Sequence, residues 1–76
     1  MNAVSVQFFN EYKRKYSGKE YSYKCRLNNI EVGDLVVVDA RGELKVVLVS
    51  SLDADLSNEE INYKELLCKL PELIKN

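Results

Sequence analysis

Residues 12–26 interleave cations with aromatic rings: Tyr12, Lys13, Arg14, Lys15 and Tyr16 come first, then Lys19, Tyr21, Tyr23, Lys24 and Arg26. Lys and Arg neutralise phosphates and tyrosine faces stack on bases, so this pattern suits single-stranded nucleic acid. The same residues also fit a solvated hairpin with Tyr21 and Tyr23 turned inward. Tyr12 and Tyr16, beside charged neighbours, are then the rings expected at the surface. A second cluster is acidic: Asp53, Asp55, Glu59 and Glu60. Its start, Asp53-x-Asp55-x-Ser57, imitates a calcium loop. Asn58 stands where the sharp turn needs glycine, however, and Lys64 where the bidentate glutamate belongs. The cluster reads instead as a capped helix start, or as a docking surface for a basic partner that gains on-rate from steering.

Catalytic chemistry is poorly supplied. There is no histidine, which removes Ser-His and Cys-His pairs and most catalytic zinc sites. Asp34 and Asp39 flank one strand but lie five positions apart, so they point to opposite faces and read as turn and edge chemistry rather than an acid–base pair. The glycines Gly18, Gly33 and Gly42 are isolated, so no phosphate-cradling loop is present. Cys25 and Cys68 are too few for a thiolate zinc site and are expected as plain buried thiols. A non-enzyme with no cofactor and no metal is the expectation.

The elements that would carry these residues are mostly strands. Val4, Val6 and Phe8 alternate with Ser5 and Gln7 over residues 3–9. Tyr21, Tyr23 and Cys25 alternate with Ser22, Lys24 and Arg26 over 20–26. These two strands pair as a hairpin across a long loop, 10–19, that ends in a Ser17-Gly18-Lys19 turn. Residues 35–40 are nearly continuous and β-branched, a strand covered on both faces. Arg41-Gly42 is a tight turn, with Gly42 suited to positive φ, and residues 43–52 are the partner strand. The last third allows two readings. Ser57 and Glu60 fit a capping box, and Tyr63, Leu67, Leu70 and Ile74 then share a helical face until Pro71 interrupts it. The rival is a fifth strand around Leu66, Cys68 and Leu70, with Pro71 opening a short helical turn; the helix formers in 58–69 favour the helix. The expected fold is mostly β (α+β): a small four- to five-stranded SH3-like or OB-like barrel, or a curved antiparallel sheet, with a C-terminal helix. It forms one domain, 1–76, with a β-rich part at 1–52 and an acidic loop and helical segment at 53–76.

The string Tyr21-Ser-Tyr23, then Val32-Gly33-Asp34-Leu-Val36-Val-Val38, then Gly42 and an apolar strand, resembles small phage-type β-barrel proteins. It is loosely similar to the N-terminal DNA-binding barrel of primosomal replication helicases. The resemblance covers about residues 20–50 and implies an SH3-like or related barrel. In those helicases the barrel binds DNA ends, but no base-binding residue carries over. The acidic segment 53–60 departs from that pattern.

Eleven basic and twelve acidic residues in 76 give a net charge of −1. The sum hides a split. Residues 1–30 carry six basic and two acidic groups (+4), and residues 31–76 carry five and ten (−5). If the two halves fold to opposite sides, the molecule is a small dipole. The near-neutral sum argues against strong non-specific nucleic-acid binding. A chain this short buries only about 60% of its unfolded surface, which leaves little room for a deep pocket. The longest apolar runs, Leu35–Val38 and Val46–Val49, are far below the ~18 residues of a membrane span. The N-terminus lacks a signal peptide's pattern, so a cytoplasmic protein is expected. The expected function is a small, non-enzymatic protein-binding regulator or inhibitor, of the kind phages encode, that docks on and occludes a larger host protein. A nucleic-acid-binding barrel using 12–26 is the alternative, and a homodimer through exposed strand edges is a third reading.

Overall fold

The computed structural model describes residues 2–70, with five strands and no helix among them. They are β1 (Asn2–Asn10), β2 (Lys15–Cys25), β3 (Leu35–Ala40), β4 (Glu43–Ser51) and β5 (Cys68–Leu70). They form one antiparallel sheet in the order β2-β1-β4-β3-β5. The mostly-β expectation therefore holds, but the sheet stays open and does not close into a barrel.

The core is built largely of valine. Val4 and Val6 of β1, Val36 and Val38 of β3 and Val47 and Val49 of β4 are buried together with Tyr23, Cys25 and Leu66. Phe8, Leu27 and Ile30 pack against this cluster. Valine suits a half-buried pleated surface because its stiff χ1 loses little freedom there. Each such burial contributes roughly 1.5–3 kcal/mol. The other faces of β3 and β4 are only partly covered: Val37 is half-buried, while Val46 and Leu44 are exposed. The expectation of a strand covered on both faces thus holds for the inner side alone.

The β3–β4 hairpin runs in continuous register from Leu35↔Leu48 to Ala40↔Glu43. Its turn has φ of 58° at Arg41 and 84° at Gly42. Two consecutive positive φ values match the right-handed strand twist. Asp39 reinforces the turn by accepting the Gly42 N–H at 2.8 Å. Asp34 likewise accepts the Glu31 N–H at 2.8 Å. Both aspartates therefore do turn chemistry.

The β1–β2 hairpin departs from expectation. Its loop is the four residues 11–14, tied by Arg14 N–H to the Asn10 carbonyl (2.7 Å) and Lys13 N–H to Asn10 Oδ1 (2.9 Å). Ser17-Gly18-Lys19 is not a turn. It lies inside β2 as a bulge, where register passes from Gln7↔Glu20 to Phe9↔Tyr16. Gly18 has φ 89°, and Gln7 Nε2 donates to its carbonyl at 3.0 Å. A glycine at positive φ serves turns and bulges alike, so its presence alone does not separate the two.

The C-terminal helix expected over 58–70 is absent. Asp55 Oδ1 accepts the Ser57 N–H and Asn58 Oδ1 accepts the Glu60 N–H, both at 2.9 Å. These i-to-i+2 bonds offer the backbone an alternative to helix and replace the expected capping box. Beyond them, Lys64 O accepts the Lys24 N–H (2.8 Å), Leu66 N–H donates to Lys24 O (3.0 Å) and Leu67 N–H donates to Val37 O (2.9 Å). Helix preferences of tenths of a kcal/mol per residue lose to satisfying two strand edges. The short β5 agrees with the rival reading of this region. Ile74 and the break or turn assigned to Pro71 lie outside the described residues. Among the two thiols, Cys25 is buried as expected, but Cys68 is exposed, because it pairs with Val37 on the uncovered face.

Candidate functional site

A concave region opens along the seam of the sheet between β2 and residues 61–64. β2 stands at one edge, and the backbone of 64–66 is stitched to it at Lys24, where Lys24 and Glu65 form an isolated parallel bridge. Above that stitch, two adjoining cavities open. One, about 390 Å³, lies between Phe8, Tyr21 and Tyr23 on one side and Asp39–Arg41 on the other, with Lys64 below. The other, about 320 Å³, separates Lys19–Tyr23 from Ile61–Lys64. They share Tyr21, Tyr23 and Lys64.

The walls of this cleft are aromatic and its rim is cationic. Phe8 and Tyr21 meet edge to face, with centroids 5.3 Å apart at 81°. Lys19 Nζ lies 5.2 Å from the centre of the Tyr21 ring, within cation–π range. Tyr21 remains 44% exposed, whereas Tyr23 is buried. Burial pushes the Tyr23 phenol above its ordinary pKa, and the nearby Tyr21 and Asp39 push it the same way. Lys19 and Tyr21, two positions apart on β2 just beyond the bulge at Gly18, share one face of the strand.

The structure divides the basic-aromatic stretch. Tyr12, Lys13, Arg14 and Lys15 occupy the β1–β2 turn and the start of β2, and Tyr12 is fully exposed. Tyr16 is half-buried rather than exposed, edge-on to Phe9 at 5.2 Å. Lys24 and Arg26 lie at the far end of β2, up to about 30 and 36 Å from Lys15 at ~3.3 Å per strand residue. Arg26 pairs there with Glu65 at 2.9 Å. One continuous patch therefore does not form.

The acidic residues Asp53, Asp55, Glu59 and Glu60 are all exposed. A backbone bond from Ala54 N–H to Ala3 O (3.4 Å) holds the first two at the start of β1, opposite the Lys13–Lys15 turn. Hydrogen bonds from the Ser57 hydroxyl and N–H hold the Asp55 carboxyl below its ordinary pKa. Glu59 and Glu60 sit just before the segment that lines the cleft.

Phe8, Arg41, Tyr63 and Lys64 belong to the cleft, but sequence pattern marked none of them as a binding residue: Phe8 read as core alternation, Arg41 as a turn and Tyr63 as part of a helical face. They come from three separate segments, and only the fold that brings β1, the β3–β4 turn and 61–64 up to β2 gathers them. The three ion pairs among the described residues take Arg26, Lys45 and Lys69. Lys13, Arg14, Lys15, Lys19, Arg41 and Lys64 are in none of them.

Among the described residues, no three Cys, Asp or Glu side chains gather as a metal site requires. No helix there is long and apolar enough to cross a membrane. Compared with known proteins, the chain matches no family model, no curated protein and no solved structure. What the fold defines is a class: a small, mostly-β protein with one open antiparallel sheet.

Proposed function

We propose that this protein is a small, non-enzymatic regulator that docks on a larger protein and occludes part of its surface. The observation that carries this reading is the cationic, aromatic end of the molecule. Lys13, Arg14 and Lys15 in one turn, Arg41 in the neighbouring turn, and Lys19 and Lys64 beside the cleft enter none of the three ion pairs. Tyr12, in the same turn as Lys13 and Arg14, and Tyr21, with Lys19 Nζ 5.2 Å from its ring centre, are both exposed. Such an end steers toward an acidic surface and anchors on it by its rings. The resemblance of the hairpin pattern to small phage-type proteins supports a host protein as the target and the cytoplasm as the place.

Nucleic acid is the second reading, favoured by the Lys19–Tyr21 stack in the cleft, since base stacking and phosphate neutralisation use the same two groups. Binding to single- and double-stranded DNA at two salt concentrations separates the readings. The protein-docking reading expects no appreciable DNA binding at low salt. It also expects a host protein that co-purifies with the wild-type chain and is released by the Lys13→Glu/Arg14→Glu double variant. Tight, steeply salt-dependent DNA binding overturns it.

A further inference from the structure

We propose that the partner contributes an extended, acidic segment that adds as a further strand to the edge of β2 at Glu20–Ser22, in the groove between that edge and residues 61–64. The inference rests on the protein-docking reading and specifies its contact.

The backbone of β2 supplies the first argument. Lys24 turns both its N–H and its C=O off the sheet, to Lys64 O and Leu66 N–H. Alternate residues of a strand point these groups the same way. Ser22 and Glu20 therefore present theirs off the same edge. Residues 61–63 run beside them without a backbone bond to β2 among the described residues, and a cavity of about 320 Å³ lies between. A row of exposed strand donors and acceptors is a template for a peptide backbone. Nucleic acid has no matching alternation to offer.

Charge supplies the second argument and selects the occupant. Lys15, Lys19 and Lys24 lie along β2, and Lys64 faces Lys19 across the groove. Two copies joined at this edge would bring Lys19 and Lys64 of both into one groove, which like-charge repulsion opposes. The bulge at Gly18 and these lysines thus blunt the edge against self-pairing and against neutral strands. An acidic strand turns the same charges into attraction. Glu20 does not oppose it, since its carboxylate turns to the Ser50 hydroxyl at 2.9 Å. Glu59 and Glu60 stand outside the lining of both cavities. Alternate side chains of the added strand would meet the rings of Tyr21 and Tyr23.

The test uses the isotope-labelled full chain and a blocked peptide of alternating Glu and Val. Amide spectra should show saturable shifts at Glu20, Ser22 and Lys64, with slowed hydrogen exchange of the Ser22 and Glu20 N–H groups. The same peptide methylated on alternate backbone nitrogens should bind at least about tenfold more weakly, because one edge of its backbone can no longer donate. Ser22→Pro removes a donor from the outer edge only, a position where strands tolerate proline, and should weaken binding similarly. Lys19→Glu/Lys64→Glu keeps the test informative should that variant misfold, and should abolish binding. Equal binding of the methylated peptide, or no saturable shifts at Glu20 and Ser22, overturns edge addition. So does displacement to these residues of oligothymidylate in place of peptide. A host protein that co-purifies equally with wild type and with Ser22→Pro overturns edge addition while leaving the docking reading intact.

Discussion

The β3–β4 hairpin keeps one register over its six residue pairs and turns in two residues, whereas the β1–β2 hairpin turns in four and loses register at Phe8. Both supply valines to the core, but they divide the remaining work. The regular hairpin is apolar on its inner face and partly apolar on its outer one, and it sits in the middle of the sheet. The irregular hairpin is polar outside, cationic at its tip and placed at the edge. Regularity maximises burial of Val36, Val38, Val47 and Val49, all fully buried. Irregularity leaves backbone and rings exposed where another molecule can reach them. On the proposed reading stability and recognition fall to different strands, and an edge strand can carry bulges and like charges that a central strand would not tolerate.

The largest effect that tests this division is in the regular hairpin. Val47→Ala should cost roughly 2–3 kcal/mol, from two lost methyl groups at ~0.8 each plus a residual cavity. Its neighbour Val46, 39% exposed on the opposite face, should lose less than about 1 kcal/mol when replaced by Ala. Urea unfolding of both variants measures the gap. Equal costs would mean that the outer face is as covered as the inner one.

Two of the three glycines at positive φ give the next comparison. Gly42 in the tight turn and Gly18 in the bulge have φ of 84° and 89°, and an added Cβ meets no atom within 4 Å at either. Backbone strain is therefore the only direct penalty, about 1–2 kcal/mol for alanine at each. Asparagine at position 42 should recover part of it. The consequences beyond stability should differ. Gly42→Ala leaves the cleft's amide spectrum unchanged outside residues 39–44, while Gly18→Ala also moves the signals of Lys19 and Tyr21. Matching spectral footprints would show that the bulge does not set the cleft.

The same contrast explains how far the amino-acid pattern reached. The β3–β4 hairpin could be read almost residue by residue, because alternation, β-branching and Arg41-Gly42 all specify one answer. In β1–β2 the glycine at 18 is compatible with a turn or a bulge. What decides is the pairing of Phe9 with Tyr16, a contact that local pattern does not contain. The 58–70 segment failed for a related reason. Its helix-forming residues and the Ser57–Glu60 spacing are local signals, whereas the bonds of residues 64–67 to Lys24 and Val37 are set by edges more than 25 positions away. The cleft was half visible: Lys19, Tyr21 and Tyr23 stand in the basic-aromatic stretch, but Arg41 and Lys64 join them only through topology.

The smallest expected effect concerns Tyr23, the one ring of the irregular hairpin that is both buried in the core and part of the cleft wall. Its phenol is raised above the ordinary value first by burial, then by Tyr21 and Asp39. The folded state therefore holds this proton at a pH where the unfolded chain has released it. With fewer protons bound when unfolded, stability falls as pH rises. The contribution is complete below the ordinary tyrosine value of about 10 and is lost progressively as pH climbs from there through the folded-state value. Tyr23→Phe has no such proton, so its unfolding free energy should decline less steeply between pH 9 and 11 than that of wild type. Comparing the two slopes cancels the titration of the remaining tyrosines and lysines, which both proteins share. An acidic peptide in the groove should steepen the wild-type decline, because it adds negative charge beside the phenol and raises its pKa further. If the two slopes coincide without peptide, the ring is solvated enough that the cleft, rather than the core, defines its environment.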